Sequence, residues 1–199
     1  MPHLYITHPE VVIDPNVPTP RWGLNATGWA RARAFAARLL LPDDAIFYAS
    51  DEQKALDLAQ ALAGPLGTII PDPQMGENDR SSTGYLPPDR FEAMVDRPFG
   101  DPQTGPDGWE SALHAQQRIV TAVQRALATH PPDRQAVFVG HGCVGTLLKC
   151  HVGGRAIARH EDQRVRAAKG GGNIFAFELS PRRLLGDWQA LEAFEIRSD

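Results

Sequence analysis

Apolar and polar residues fall along this chain in short blocks of two kinds. The first kind is a compact run rich in β-branched and aromatic residues, bounded by turn formers. "HLYIT" (3–7), "AIFYAS" (45–50), "GTIIPD" (67–72) and "QAVFVG" (135–140) all have this form and predict strands, the first buried and the last the most strongly buried. The second kind repeats with helical period. "LNATGWARARAFAARLLL" starts at Asn25, a side chain suited to cap a helix, and runs to Pro42. "DEQKALDLAQALAG" carries acids in its first turn and Gly64 at its end. "GWESALHAQQRIVTAVQRALATH" (108–130) predicts a long helix, and another begins near Gly142. The tail, "GGGNIFAFELSPRRLLGDWQAL", reads as two strands turning at Ser180–Pro181.

Strands and helices thus alternate, which predicts a three-layer α/β/α sandwich around a mostly parallel open sheet. At 199 residues the chain suits one domain spanning 1–199. Within it, residues 76–107 form a long Gly- and Pro-rich insertion with one helix expected near 88–97, and connections of this length are usually functional or disordered. A lid over a site is the natural reading.

Composition narrows the function more than the fold. An apolar fraction of 42% and a charged fraction of 22% are ordinary for a soluble globular protein. A formal charge of −4 offers no general footprint for nucleic acid or an anionic membrane, so any anion site must be built locally. No apolar run approaches the roughly 20 residues a membrane helix needs. The N-terminal segment lacks the basic and apolar regions of a signal peptide, so the cytoplasm is the expected location. Oligomeric state has no readable signal. Cys143 and Cys150 lie two helical turns apart, roughly 10 Å, beyond the ~7 Å limit for a disulfide. They are expected to be buried, reduced and inert, and their spacing matches no zinc signature.

In open α/β sheets, ligands sit beyond the carboxyl ends of the strands. His8, Ser50 and His141 each follow such an end, and the helix after His141 would turn its N-terminal N–H groups toward the same crevice. The ordered set "LYITHPE", "LNATGWARA", "YASDEQKALDLAQALA", a glutamate in "QMGENDR", and "VFVGHGCVG" resembles the histidine phosphatase superfamily, the phosphoglycerate mutase-like proteins. The resemblance runs nearly the full chain. It implies the phosphoglycerate mutase-like fold and hydrolysis of a small phosphorylated substrate without metal or cofactor. His8 would be the nucleophile that becomes a phosphohistidine, His141 its partner on the transferring group, Lys54 the phosphate-binding cation, and Glu77 the proton donor. Asp79 is the competing carboxylate. An imidazole with a pKa of about 6.5 is mostly neutral at pH 7, as a nucleophile must be.

Three departures lie inside that pattern. Thr7 stands where the family has arginine, Pro9 where it has glycine, and Lys54 where a second arginine would bind phosphate through its planar fork. Each lost donor costs about 10²–10³ in rate, which predicts a slow enzyme. Arg21, just before the first helix, is expected to swing into the space of the missing arginine, with Thr7 beside the substrate; Arg80 is a weaker replacement. A non-catalytic relative that binds an anionic ligand or a protein partner in the same pocket is the alternative. A third possibility is acid–base chemistry by Glu77 and His141 on a non-phosphate substrate. His3, His114, His130, His151 and His160 read as surface or helix-end residues without metal-ligand spacing. Glycines 170–172 precede a strand, not a helix, and suit a pocket rim better than a nucleotide loop. Trp22 and Trp109 stand near loop mouths, where packing is their expected role.

Overall fold

The computed structural model describes residues 2–39 and 41–195. Its centre is a sheet in which β1 (His3–Thr7), β2 (Ile46–Ala49), β3 (Thr68–Pro71) and β4 (Ala136–Gly140) run parallel. β5 (Asn173–Glu178) lies antiparallel against β1, and the two-residue strands β6 (Arg183–Leu184) and β7 (Gln189–Ala190) pair with β5. The spatial order is β3-β2-β4-β1-β5-β6, so β4 and β1 occupy the middle. This is the α/β architecture that the alternating pattern predicts, with the tail as its antiparallel edge. That tail is more broken than two strands, because the chain leaves the sheet at Ser180–Pro181 and returns only in short pieces.

The helices bury one stripe each against the sheet. α1 (Ala26–Ala36) and α2 (Gln53–Ala63) cover one face, where Phe35, Leu58 and Ala59 meet Leu4, Ile6, Phe47, Val137 and Val139. On the opposite face lie α3 (Pro88–Gly100), α4 (Ala112–Thr129) and α5 (Gly142–Val152). Ile119, Val123, Leu147 and Leu148 pack there against Tyr5, Tyr48, Phe138 and Phe175. The alternation within β1, with Tyr5 to one side and Leu4 and Ile6 to the other, is the period-two rule at work. A short helix, α6 (Gln163–Arg166), precedes β5. No helix among the described residues is long and apolar enough to cross a membrane.

Several boundaries differ from the sequence pattern for local reasons. α1 begins after Asn25, whose side chain accepts from Gly28 N as expected, but it ends at Ala36, ahead of Pro42; Leu40, in the predicted last turn, lies outside the described residues. α2 starts at Gln53, so Asp51 and Glu52 precede the helix and leave no acid in its first turn. α4 starts only at Ala112, because Ser111 caps it through His114 N and holds Trp109 in an extended approach. Within 76–107, α3 is longer than expected. Its Val95 and Phe99 are buried, and its Glu92 pairs with Arg159 and Arg164.

Candidate active site

Strand register builds the site. Thr7 of β1 is paired with Gly140 of β4, so the next residues, His8 and His141, leave the sheet side by side. Ala49 of β2 pairs with Val139, which brings Ser50 to the same rim. The two histidine rings are 5.2 Å apart between centroids and inclined at 71°. Far from one another in the chain, they face each other across the crevice beyond the strand ends.

His8 is held by its own neighbourhood. Its N–H donates to Gly140 O at 3.0 Å, and its carbonyl accepts from Gly172 N at 3.0 Å. Gly171, at φ +79°, passes so close that a Cβ there would stand 2.4 Å from that carbonyl oxygen, which is why the approach needs glycine. The glycines at 170–172 therefore back the His8 turn. On the ring, Nδ1 lies 2.8 Å from Pro9 O. A carbonyl only accepts, so Nδ1 carries the proton and Nε2 presents its lone pair. Burial and the neighbouring His141 lower the pKa of His8 to about 3, against the raising pull of the Pro9 hydrogen bond. It is neutral throughout the physiological range.

His141 is fully buried at the start of α5. Its Nε2 lies 2.8 Å from Ser50 Oγ and 3.4 Å from Glu52 Oε1, while Nδ1 has no partner among the described residues. Burial lowers its pKa, opposed by Glu52 and Glu77. Tyr5 Oη bridges the backbone beneath it, donating to His141 O and accepting from His141 N, both at 3.2 Å.

Glu77 sits over the N-terminus of α5. Its two oxygens accept from Asn78 N at 2.9 Å, Cys143 N at 3.1 Å and Val144 N at 3.2 Å. Burial raises its pKa, but Arg80, His141 and the backbone N–H groups outweigh it and bring the value below the ordinary carboxylate range. The carboxylate is ionised at neutral pH and so holds no proton to give, unlike the donor the resemblance implies. The competing acid, Asp79, is exposed and bonds to Ser81 N, so of the two it is Glu77 that the fold brings to His141.

Lys54 is buried on the first turn of α2, donating to Thr19 O at 2.8 Å and to Glu52 Oε2 at 2.5 Å. Sequence reasoning missed Glu52, which also accepts from Glu77 N at 2.8 Å. Burial raises the Glu52 pKa, and His141 and Lys54 with the hydrogen bonds of Lys54 and Glu77 N–H bring it down to about 2. The cation expected to hold phosphate is thus already paired with an anion.

Two residues expected at the ligand have the following surroundings. Thr7 is fully buried and shares a closed network: its hydroxyl donates to Gln163 Oε1 at 2.7 Å and accepts from Asn173 N at 2.9 Å, while Asn173 Nδ2 donates to the same Gln163 oxygen at 2.8 Å. The period-two alternation puts it on the Tyr5 side, where it ties β1 to α6 and β5. Arg21 closes the single turn Thr19–Arg21, and its exposed guanidinium has no hydrogen bond or ion pair with the described residues. The arginine beside Glu77 is Arg80, stacked 4.9 Å from the Phe91 ring centre and 5.7 Å from that of Trp109.

The remaining candidates have structural partners. Trp22 Nε1 donates to Asp14 O and Val17 O, and Trp109 Nε1 to Thr83 Oγ1. His3, expected at the surface, instead packs its half-buried ring against Phe138 and Phe177. Both cysteines are free, and burial raises their pKa values, Cys150 to about 11. Among the described residues, no cluster of three or more His, Cys, Asp or Glu side chains is arranged to hold a metal ion.

The chain is thus an α/β protein whose mixed sheet sets two histidines side by side beyond its central parallel strands. The sequence pattern of the histidine phosphatase superfamily (branch 1) matches residues 17–179, and the chain belongs to that family. The match begins after the His8 turn, so membership rests on the rest of the chain. Solved structures agree in fold. A mycobacterial glucosyl-3-phosphoglycerate phosphatase in complex with inorganic phosphate is 19% identical at a TM-score of 0.73, with 97% of this chain and 99% of that one covered. The same phosphatase in complex with VO3 gives 22% identity and a TM-score of 0.71 over 95% and 98%. Bacillus stearothermophilus YhfR gives 19% and 0.71 over 92% and 93%. No curated protein matches the sequence significantly.

Proposed function

We propose that this protein is a metal-independent phosphomonoester hydrolase acting on a small phosphorylated substrate through a phosphohistidine at His8. The observation that carries the reading is the Nδ1 hydrogen bond to Pro9 O, which leaves Nε2 of a neutral imidazole as the free nucleophile facing His141. In the first step the Nε2 lone pair attacks phosphorus and the ester P–O bond breaks, with its electron pair leaving on the oxygen, which takes a proton from solvent. The His141 ring beside His8 and the Lys54 ammonium supply the polar contacts for the phosphoryl oxygens. In the second step a water oxygen attacks phosphorus, Glu77 takes the water proton and releases it to solvent, and the P–N bond returns its pair to His8. Fold likeness to a phosphatase bound to phosphate and to VO3 supports the same class of ligand.

The test is hydrolysis of p-nitrophenyl phosphate by wild type and His8→Ala. Loss of essentially all turnover in His8→Ala is expected; equal rates overturn the reading. One observation favours a second reading, a non-catalytic anion-binding relative: Lys54 is neutralised by Glu52 and Thr7 is turned out of the crevice. In that case His8→Ala binds orthovanadate as wild type does, and neither protein turns over.

A further inference from the structure

Glu52 has no counterpart among the roles assigned above, yet it touches most of them. It immediately precedes α2, in the position from which a side chain normally caps a helix, but it makes no capping bond. The carboxylate turns into the crevice instead. Oε2 takes the Lys54 ammonium at 2.5 Å; Oε1 takes the Glu77 N–H at 2.8 Å and lies 3.4 Å from His141 Nε2. The pair is enclosed, with side-chain exposures of 8% for Lys54 and 12% for Glu52. An ammonium, a backbone N–H and an imidazole converging on two carboxylate oxygens are the partners a phosphoryl group would need.

We propose that Glu52 is an affinity-determining residue of this site, an internal anion that occupies the phosphate donors and must be displaced before a phosphorylated ligand can bind. The inference rests on the phosphatase reading and adds a consequence for substrate class. Affinity drawn from the phosphoryl group is largely cancelled, so discrimination falls on the alcohol part of the ester. Electrostatics gives the size of the effect: juxtaposed like charges cost enough to weaken binding by about ten- to a hundred-fold.

The experiment titrates orthovanadate, at neutral pH and low salt, into wild type, Glu52→Gln, Glu52→Asp and the double variant Glu52→Gln/Lys54→Met, reading heat by calorimetry. Urea midpoints recorded alongside identify any variant that fails to fold, and Glu52→Asp, which withdraws the carboxylate by one methylene, keeps the charge for that case. Glu52→Gln is expected to bind at least about ten-fold tighter than wild type, Glu52→Asp by a smaller margin, and the double variant to lose the gain. Equal or weaker binding by Glu52→Gln overturns the proposal, since Glu52 would then be ordering Lys54 for the ligand. So does failure of every protein to bind. Tighter binding without aryl phosphate turnover sinks the phosphatase reading alone. Turnover through His8 with unchanged affinity sinks only the role of Glu52.

Discussion

Glu77→Gln separates the two halves of the proposed reaction. The substitution keeps the shape of the side chain but turns one oxygen into an NH2 group. If the remaining oxygen stays on Asn78 N and Val144 N, Cys143 N–H faces a donor and loses its acceptor. An unsatisfied buried N–H costs about 1–3 kcal/mol, which a stable domain survives. The kinetic effect is larger and falls on one step. Removing a positioned general base slows water attack by about 10²–10⁴, whereas nitrophenolate leaves His8-bound phosphorus without needing a proton. Rapid mixing with p-nitrophenyl phosphate should therefore release a burst of nitrophenolate approaching one per protein, followed by a slow steady state. A protein-bound phosphoryl group should persist after alkaline quenching and disappear in acid. Because Glu77 is held ionised and His8 neutral, both are in working form from neutral pH down to about 5, and wild-type turnover should stay level there apart from the substrate's own titration. A fall in rate with no burst, or no change at all, would refute the assignment of Glu77 as base.

Other consequences can be checked on the folded protein. Thr7→Arg, meant to restore the family's arginine, should instead destabilise by about 2 kcal/mol or more, since the side chain must enter the space held by Gln163 and Asn173; urea unfolding measures it, and an unchanged midpoint would show that the network yields. Lys149→Met removes a fully buried ammonium from Glu161 at 2.7 Å and Asp187 at 2.5 Å, and should cost about 3 kcal/mol, the lower end for a broken buried pair because Arg155 still serves both acids. A Lys149→Met protein as stable as wild type contradicts it. Burial also lowers the pKa of His3 to about 4 from 6.5, so the unfolded chain binds the extra proton first. The stability this contributes is complete above pH 6.5 and is lost as pH falls toward 4. His3→Leu should flatten the pH dependence of the unfolding midpoint across that window, and an unaltered slope would rule His3 out.

The parallel core was legible because its strands are uninterrupted apolar runs, and the two histidines were legible because each ends such a run. Register then did the rest, by a pairing of Thr7 with Gly140 that no local pattern encodes. Thr7 is expected beside the substrate because it stands where the family has arginine, yet alternation along "LYIT" sets it with Tyr5, on the face opposite Leu4 and Ile6. Arg21 is harder to read: a loop cation has many directions, and the sequence holds no partner that selects one. Glu52 was hidden because the run "DEQK" reads as an ordinary acidic helix start. Its meaning depends on the carboxylate turning back toward Lys54 instead of capping the helix, which is a rotamer choice made by the surrounding crevice.

The single rung that pairs β1 with β4 at their last residues has a consequence for assembly. Two imidazoles far apart along the polypeptide become neighbours when those strands pair, before the loop contacts around His8 settle its ring. Geometry of this kind is inherited from the backbone ladder, so it tolerates wholesale change in the surrounding side chains. Side chains around the crevice such as Glu52 and Thr7 can therefore change while the two imidazoles stay side by side.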